Sequence, residues 1–212
     1  MNSSLNLLNI ACIGCGVIGA GWIARFIENG VNVSIFDPGP KAELNVKRTL
    51  ENAETAFANL TSIPRIKKGT ISFKKSINEA VKNVDLIIES VPERVDIKQK
   101  VYSEIEQYCD KSTLITSSTS GIMPSKLQKN LKSPDRFYVG HPFNPVYLLP
   151  LVEIVGGRNT SKATISRAKS IYKRIGMHPV HIKKEIDAFV ADRLLEAIWR
   201  EALWLIKDGI CT

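Results

Sequence analysis

The stretch Ile10–Gly21 reads I-A-C-I-G-C-G-V-I-G-A-G, a short apolar run flowing into Gly14-x-Gly16-x-x-Gly19. Asp37 closes the next apolar run, 23 positions after Gly14. A glycine trio alone says little, because glycines are common. A strand before it, helical spacing after it and an acidic residue ending a second strand turn it into a dinucleotide-binding fingerprint. In that motif Gly14 permits the tight turn, Gly16 lets the backbone approach a pyrophosphate, and Gly19 lets the helix pack closely on the strand. Cys15, Val17 and Ile18 fill the positions between and complete the phosphate-facing turn. A pyrophosphate there meets free N–H groups and the positive end of the helix macrodipole.

Asp37 also selects the cofactor. A carboxylate at the end of the second strand accepts hydrogen bonds from the adenosine ribose hydroxyls and repels a 2′-phosphate. Pro38, Gly39 and Pro40 follow, with no arginine immediately after Asp37 to receive that phosphate. The expected cofactor is NAD rather than NADP.

Composition narrows the class. A chain of 212 residues with 44% hydrophobic content suits one sizeable domain with a small appendage. No apolar stretch is long enough to cross a bilayer. The N-terminal residues lack the basic region and cleavage site of a signal peptide, so a cytoplasmic location is expected. The net charge of +8 comes from scattered lysines such as Lys67-Lys68, Lys74-Lys75 and Lys183-Lys184. No aromatic residues interleave with them, which argues for a solvated surface and against nucleic acid. Cys12-x-x-Cys15 has the spacing of a metal half-site, but one cysteine lies in the first strand and the other in the glycine turn. Cys109 and Cys211 are isolated, so neither a metal site nor a disulfide framework is expected.

Along the chain, strand and helix patterns alternate. Leu8–Ile13, Val31–Phe36, Ile71–Phe73, Val84–Glu89, Leu114–Thr116, Phe137–Val139, Leu151–Val155 and Pro179–Ile182 read as strands. Val17–Glu28, Lys41–Asn59, Asp96–Tyr108 and Ile165–Ile175 read as helices, with Thr61–Thr70 a basic loop. Alternation of this length predicts an α/β fold, a doubly wound Rossmann-type, mostly parallel sheet. Asp187–Lys207 then reads as one long helix too apolar to stand in water alone. The expected division is a nucleotide-binding domain over residues 1–185 and the start of a helical domain over residues 186–212.

Three groups supply chemistry: Ser117-Ser118-Thr119-Ser120-Gly121, His141-Pro142-Phe143-Asn144-Pro145 and Leu151-Val152-Glu153. Each lies close to a predicted strand, at positions that gather at the carboxyl edge of such a sheet. Oxidising an alcohol needs a base for the hydroxyl proton while hydride leaves carbon. A neutral histidine whose other nitrogen is oriented by a carboxylate fills that need, and His141 with Glu153 can provide it. The competing reading is a loop histidine satisfied by backbone and a surface glutamate.

Order and spacing shift the balance toward the first. Ser120 precedes His141 by 21 positions and Glu153 follows it by 12, and the stretch resembles the 3-hydroxyacyl-CoA dehydrogenase superfamily, in which a serine, a histidine and a glutamate have these separations. The resemblance runs from about Leu8 to Gly209. It implies that His141 is the general base, that Glu153 orients it and that Ser120 holds the substrate oxygen. It further implies that Asn144 positions substrate and nicotinamide, and that Glu93 and Lys98 in V-P-E-R-V-D-I-K contact the cofactor. Gly140–Gly157, the S-S-T-S-G stretch, Phe36–Glu43 and Ala191–Leu203 look most like the branch that oxidises carnitine. The lambda-crystallin/gulonate dehydrogenase branch shares S-S-T-S and Met123–Leu127.

Two departures from the acyl-CoA enzymes favour a small 3-hydroxy acid. The span between Asp37 and Ile71 is shorter than the helical hairpin that grips CoA in those enzymes. The asparagine at the start of their C-terminal domain is Asp192 here, which suits a substrate carrying trimethylammonium. Phe143, Tyr147 and Trp199 offer aromatic faces for such a cation, although core packing is the more ordinary explanation of any single one. The resemblance also implies a homodimer built through further helices, of which Asp187–Lys207 is the first. A chain that binds NAD without turnover is the non-enzymatic alternative.

Overall fold

The computed structural model describes residues 8–60 and 67–212. Residues 61–66, within the predicted basic loop, and residues 1–7 lie outside the described residues. Eight strands form one sheet: β1 (Asn9–Ile13), β2 (Asn32–Phe36), β3 (Ile71–Phe73), β4 (Leu86–Glu89), β5 (Leu114–Ser117), β6 (Phe137–Pro142), β7 (Leu151–Gly156) and β8 (His178–Ile182). Their order is β3-β2-β1-β4-β5-β6-β7-β8. Every neighbouring pair is parallel except β6 with β7, where His141 lies opposite Glu153. The connections are α1 (Val17–Glu28), α2 (Ala42–Leu60), α3 (Ile77–Ala80), α4 (Val95–Tyr108), α5 (Pro124–Leu127) and α6 (Lys162–Arg174), with α7 (Ala191–Lys207) last. The doubly wound, mostly parallel sheet expected from the alternation is present. The short α3 and α5 were not legible, since one turn carries too little periodicity to register.

The period of two in the strands sorts side chains into two cores. Ile10 and Cys12 point into one with Trp22, Phe26, Val46 and Tyr172 from α1, α2 and α6. Ala11 and Ile13 point into the other with Ala80, Tyr102, Ile105 and Leu127 from α3, α4 and α5. Fully burying a side chain of this kind contributes about 1.5–3 kcal/mol, so register is strongly specified: a one-residue slip would exchange the two faces. Trp22 is fully buried, its ring centroid 5.4 Å from that of Tyr172.

The chain steps outward from β1 to β3 and returns to β4 on the other side of β1. That reversal opens a crevice beyond the carboxyl ends of β1 and β4, the place where ligands bind in such sheets. No helix among the described residues is long and apolar enough to cross a membrane.

The last helix differs from its sequence pattern. It begins at Ala191 rather than Asp187. Ala188 and Phe189 take φ values of 58° and 45°, in the left-handed region that non-glycine residues enter only when held there. The turn drives the Phe189 ring into the core beside His141, which is what interrupts the helix. From Ala191 onward no residue is buried. Ile198, Trp199, Leu203 and Trp204 are 69%, 62%, 50% and 49% exposed.

Candidate active site

The glycine turn sits at the mouth of the crevice. Gly14 has φ +95°, and a Cβ there would meet the Ser90 carbonyl oxygen at 2.6 Å. A Cβ on Gly19 would come within 2.0 Å of the Gly14 carbonyl oxygen, so the helix packs directly on the turn. Gly16 is different: a Cβ there would meet nothing within 4 Å. The open face lies at the N-terminus of α1, where no side chain caps the first turn and no acidic residue stands within it. Those N–H groups have no partner within the helix. An open approach, unclaimed donors and a favourable dipole together fit a pyrophosphate.

Asp37 lies at the end of β2. One carboxylate oxygen accepts from the Cys15 N–H at 2.5 Å, the other from the Gly39 N–H at 2.7 Å. The acid is thereby aimed across the turn, into a cavity of about 580 Å³. That cavity is lined by Gly14, Gly16, Phe36, Asp37, Ile77 and Val101 among others. An apolar slot ending in one oriented carboxylate fits the adenosine half of NAD. Burial, then the charges of Cys15, Asp37 and Glu89, push the Cys12 thiol well above its ordinary value. Cys15 is raised to about 12 by burial and by Asp37.

A second cavity of about 330 Å³ shares Ser90 and Val91 with the first and adds Ile18, Glu93, Lys98, Ser118, Ser120, His141 and Pro142. His141 Nδ1 lies 2.8 Å from Glu153 Oε2, across the antiparallel pair β6–β7. A carboxylate there takes the Nδ1–H tautomer, which leaves the Nε2 lone pair free. The imidazole is clamped by Phe143 and Phe189, with ring centroids 4.8 and 5.5 Å away. The other oxygen of Glu153 accepts from the Val190 and Ala191 N–H groups at 3.1 and 3.0 Å. Glu153 is thus the cap of α7 as well as the partner of His141. Burial pushes its pKa up, but the hydrogen bonds from His141, Ala191 and Val190 outweigh this and hold it below the ordinary value.

Not every residue singled out from the sequence comes to this place. Ser120, Glu93, Lys98, Ile18 and His141 share the second cavity, and Gly14, Gly16 and Asp37 the first. Asn144, Val17 and Trp199 are exposed and outside the lining of both, and the half-buried Tyr147 lies outside it too. Asp192 follows Ala191, which places it at the Glu153 end of α7. Other residues at the site went unread. Trp22 Nε1 donates to Ser118 Oγ at 3.1 Å, and Ser118 pairs with Ser90 at 3.0 Å. Glu89 is buried beneath Lys98, and its signal was a charged residue closing the apolar run Leu86–Ile88.

Residues 9–186 match the family profile described as 3-hydroxyacyl-CoA dehydrogenase, NAD binding domain. An L-carnitine dehydrogenase of Mesorhizobium japonicum is 56% identical over 203 residues, 95% of this chain and 56% of that protein. An L-carnitine dehydrogenase/betainyl-CoA thioesterase of Rhizobium sp is 56% identical over 201 residues, 95% of this chain and 40% of that protein. The chain therefore spans about half the length of these curated relatives. Among solved structures, an NAD+-dependent 5-formyl-3-hydroxy-2-methylpyridine 4-carboxylic acid 5-dehydrogenase is 36% identical. Its TM-score is 0.89, covering 97% of this chain and 67% of that one. An (S)-3-hydroxybutyryl-CoA dehydrogenase from Ralstonia eutropha is 26% identical with a TM-score of 0.84, covering 98% of this chain and 74% of that one.

Proposed function

The chain belongs to the 3-hydroxyacyl-CoA dehydrogenase family and holds its NAD-binding domain, and from that premise we propose that it serves the oxidation of the 3-hydroxyl of L-carnitine to 3-dehydrocarnitine. The observation that carries this reading is the His141–Glu153 pair, whose histidine lines a cavity that shares Ser90 and Val91 with the nucleotide cavity. When bound, NAD supplies the hydride acceptor. His141 Nε2 takes the hydroxyl proton, and Glu153 holds the ring in the tautomer that permits it. The Ser120 hydroxyl donates to the substrate oxygen. Asp37 receives the adenosine ribose, and the first turn of α1 receives the pyrophosphate.

Carnitine is favoured over CoA thioesters by the curated relatives, which are named for carnitine at 56% identity. The Phe143 ring beside His141 and the Asp192 carboxylate at the head of α7 suit a trimethylammonium group. A homodimer in the cytoplasm is the assembly this reading carries.

Purified chain supplied with NAD and with L-carnitine, L-gulonate or 3-hydroxybutyryl-CoA tests it by NADH formation. L-carnitine should be the best of the three, and His141→Gln should lower its turnover about 10²–10⁴-fold while leaving NAD affinity nearly intact. A preference for either competitor overturns the substrate, and a near-wild-type His141→Gln overturns the base. NAD binding without turnover of any substrate would make this chain a nucleotide-binding module.

A further inference from the structure

Lys98 stands between two carboxylates. Its ammonium donates to Glu89 Oε1 at 2.7 Å, to Glu93 Oε2 at 3.2 Å and to the Val91 carbonyl at 3.3 Å. Glu89 and Lys98 are sealed from solvent, while the Glu93 side chain is 47% exposed. Lys98 and Glu93 both line the cavity that holds His141 and Ser120.

Glu89 has no capacity left. Oε1 also accepts from the Val91 N–H at 2.8 Å, and Oε2 accepts from the hydroxyls of Ser117, at 2.7 Å, and Tyr102. Four donors fill the acceptor sites of one carboxylate. Burial and the Glu89 charge raise the Tyr102 phenol well above its ordinary value, which keeps it a donor. Glu93 in turn accepts from the Thr119 hydroxyl, whose oxygen receives the Ile122 N–H at 3.0 Å.

Two carboxylates and one ammonium sum to one net negative charge. Lys98 is shared, and its shorter bond goes to the buried partner, so the excess falls on Glu93 at the cavity wall. A charge beside a partly water-excluded cavity acts more strongly than one in bulk solvent. Nicotinamide is a cation when oxidised and neutral when reduced, so such a charge distinguishes the two states.

We propose that Glu89 is a positioning residue that holds Lys98 back from neutralising Glu93, and that the resulting negative cavity binds oxidised NAD in preference to NADH. This rests on the reading that the nicotinamide end of the cofactor enters this cavity. A site of this kind loads from the oxidised pool and releases the neutral reduced product.

Calorimetric Kd values for NAD+, NADH and ADP-ribose on the purified chain test the proposal, because ADP-ribose lacks the nicotinamide. Wild type should bind NAD+ more tightly than NADH. Glu89→Gln makes the triad neutral and should shrink that preference by about threefold or more, the scale of one partly screened unit charge. Its ADP-ribose affinity should hold steady. Lys98→Met leaves two negative charges and should enlarge the preference. The double variant Glu89→Gln/Lys98→Met removes a buried ion pair as a unit, which proteins often tolerate, and restores a net charge of minus one. Its preference should return to the wild-type value, and this variant decides the matter if either single one fails to fold. A merely structural Glu89 would shift all three ligands together, and a double variant without the preference would overturn the charge account. Failure of wild type to bind ADP-ribose would instead overturn the nucleotide site itself.

Discussion

Replacing Glu153 with glutamine keeps the shape of the side chain and removes its charge. In the native chain the carboxylate accepts from His141 Nδ1 on one oxygen and from the Val190 and Ala191 N–H groups on the other. An amide has one oxygen, so its NH₂ must face one of these donors. The arrangement that keeps both backbone bonds turns the NH₂ toward His141 Nδ1, which replaces the bond to a charged acceptor by a neutral one and forces the opposite tautomer. A hydrogen bond to a charged group contributes about 1.5–3 kcal/mol, and a carboxylate at a helix N-terminus about 0.3–1 kcal/mol more. Glu153→Gln should therefore cost about 2–4 kcal/mol at neutral pH. The pH dependence gives a second check with a definite sign. The folded-state pKa of Glu153 lies below the ordinary 4.5, so the unfolded chain binds this proton more tightly than the folded one. The contribution is then fully present above pH 4.5 and disappears as pH falls through the lower folded value. Urea unfolding of both proteins, followed by far-ultraviolet circular dichroism across that range, measures the gap directly. It should be open at pH 7 and narrow in acid. No gap at neutral pH would refute the hydrogen-bond account, and a gap independent of pH would refute the role of the charge.

Asp37→Ala removes two backbone bonds of the turn and, on the proposed reading, the ribose acceptor. NAD affinity should fall about tenfold or more, with discrimination against NADP relaxed; equal NAD affinity in calorimetry would rule the assignment out. Two glycines should respond in opposite ways. Gly19→Ala forces a Cβ to within 2.0 Å of a backbone oxygen and should lower stability by about 1–3 kcal/mol in thermal unfolding, whereas Gly16→Ala meets nothing and should fold normally yet bind NAD weakly. Unchanged NAD affinity in folded Gly16→Ala would remove the pyrophosphate from that face. The apolar face of α7 should make the chain self-associate as concentration rises in light scattering, and Ile198→Glu should reduce this; a monodisperse monomer at high concentration would contradict it.

The parts of this fold that were legible in the sequence are those whose cause is local. The glycine turn, Asp37 and the strand–helix alternation follow from steric freedom, one acid and hydrophobic period, and all three stand where that reasoning put them. His141 and Glu153 were singled out by a spacing shared with the family the chain resembles, and the antiparallel pairing of β6 with β7 explains why twelve residues bring them opposite each other. What stayed hidden depends on partners distant in the chain. Glu89 looks like the end of a buried strand until Lys98, Tyr102 and Ser117 close around it from α4 and β5. Phe189 fits the helical spacing of the residues after it, yet the pocket beside His141 claims its ring, and Glu153 starts the helix at Ala191 instead.

The three tryptophans give the chain two separate optical signals. Trp22 is sealed in the core, its indole N–H held by a serine of the cavity wall. Trp199 and Trp204 stand in solvent on α7, the latter with the Lys207 ammonium 4.1 Å from its ring centroid. A dissolved quencher reaches the second class and spares the first, so the residual blue-shifted emission belongs to Trp22. Entry of a ligand beside Ser118 perturbs that emission. Anything that covers α7 instead protects the quenchable fraction and leaves Trp22 alone. Filling of the cleft and coverage of the last helix can therefore be followed independently, by fluorescence, in the unlabelled protein.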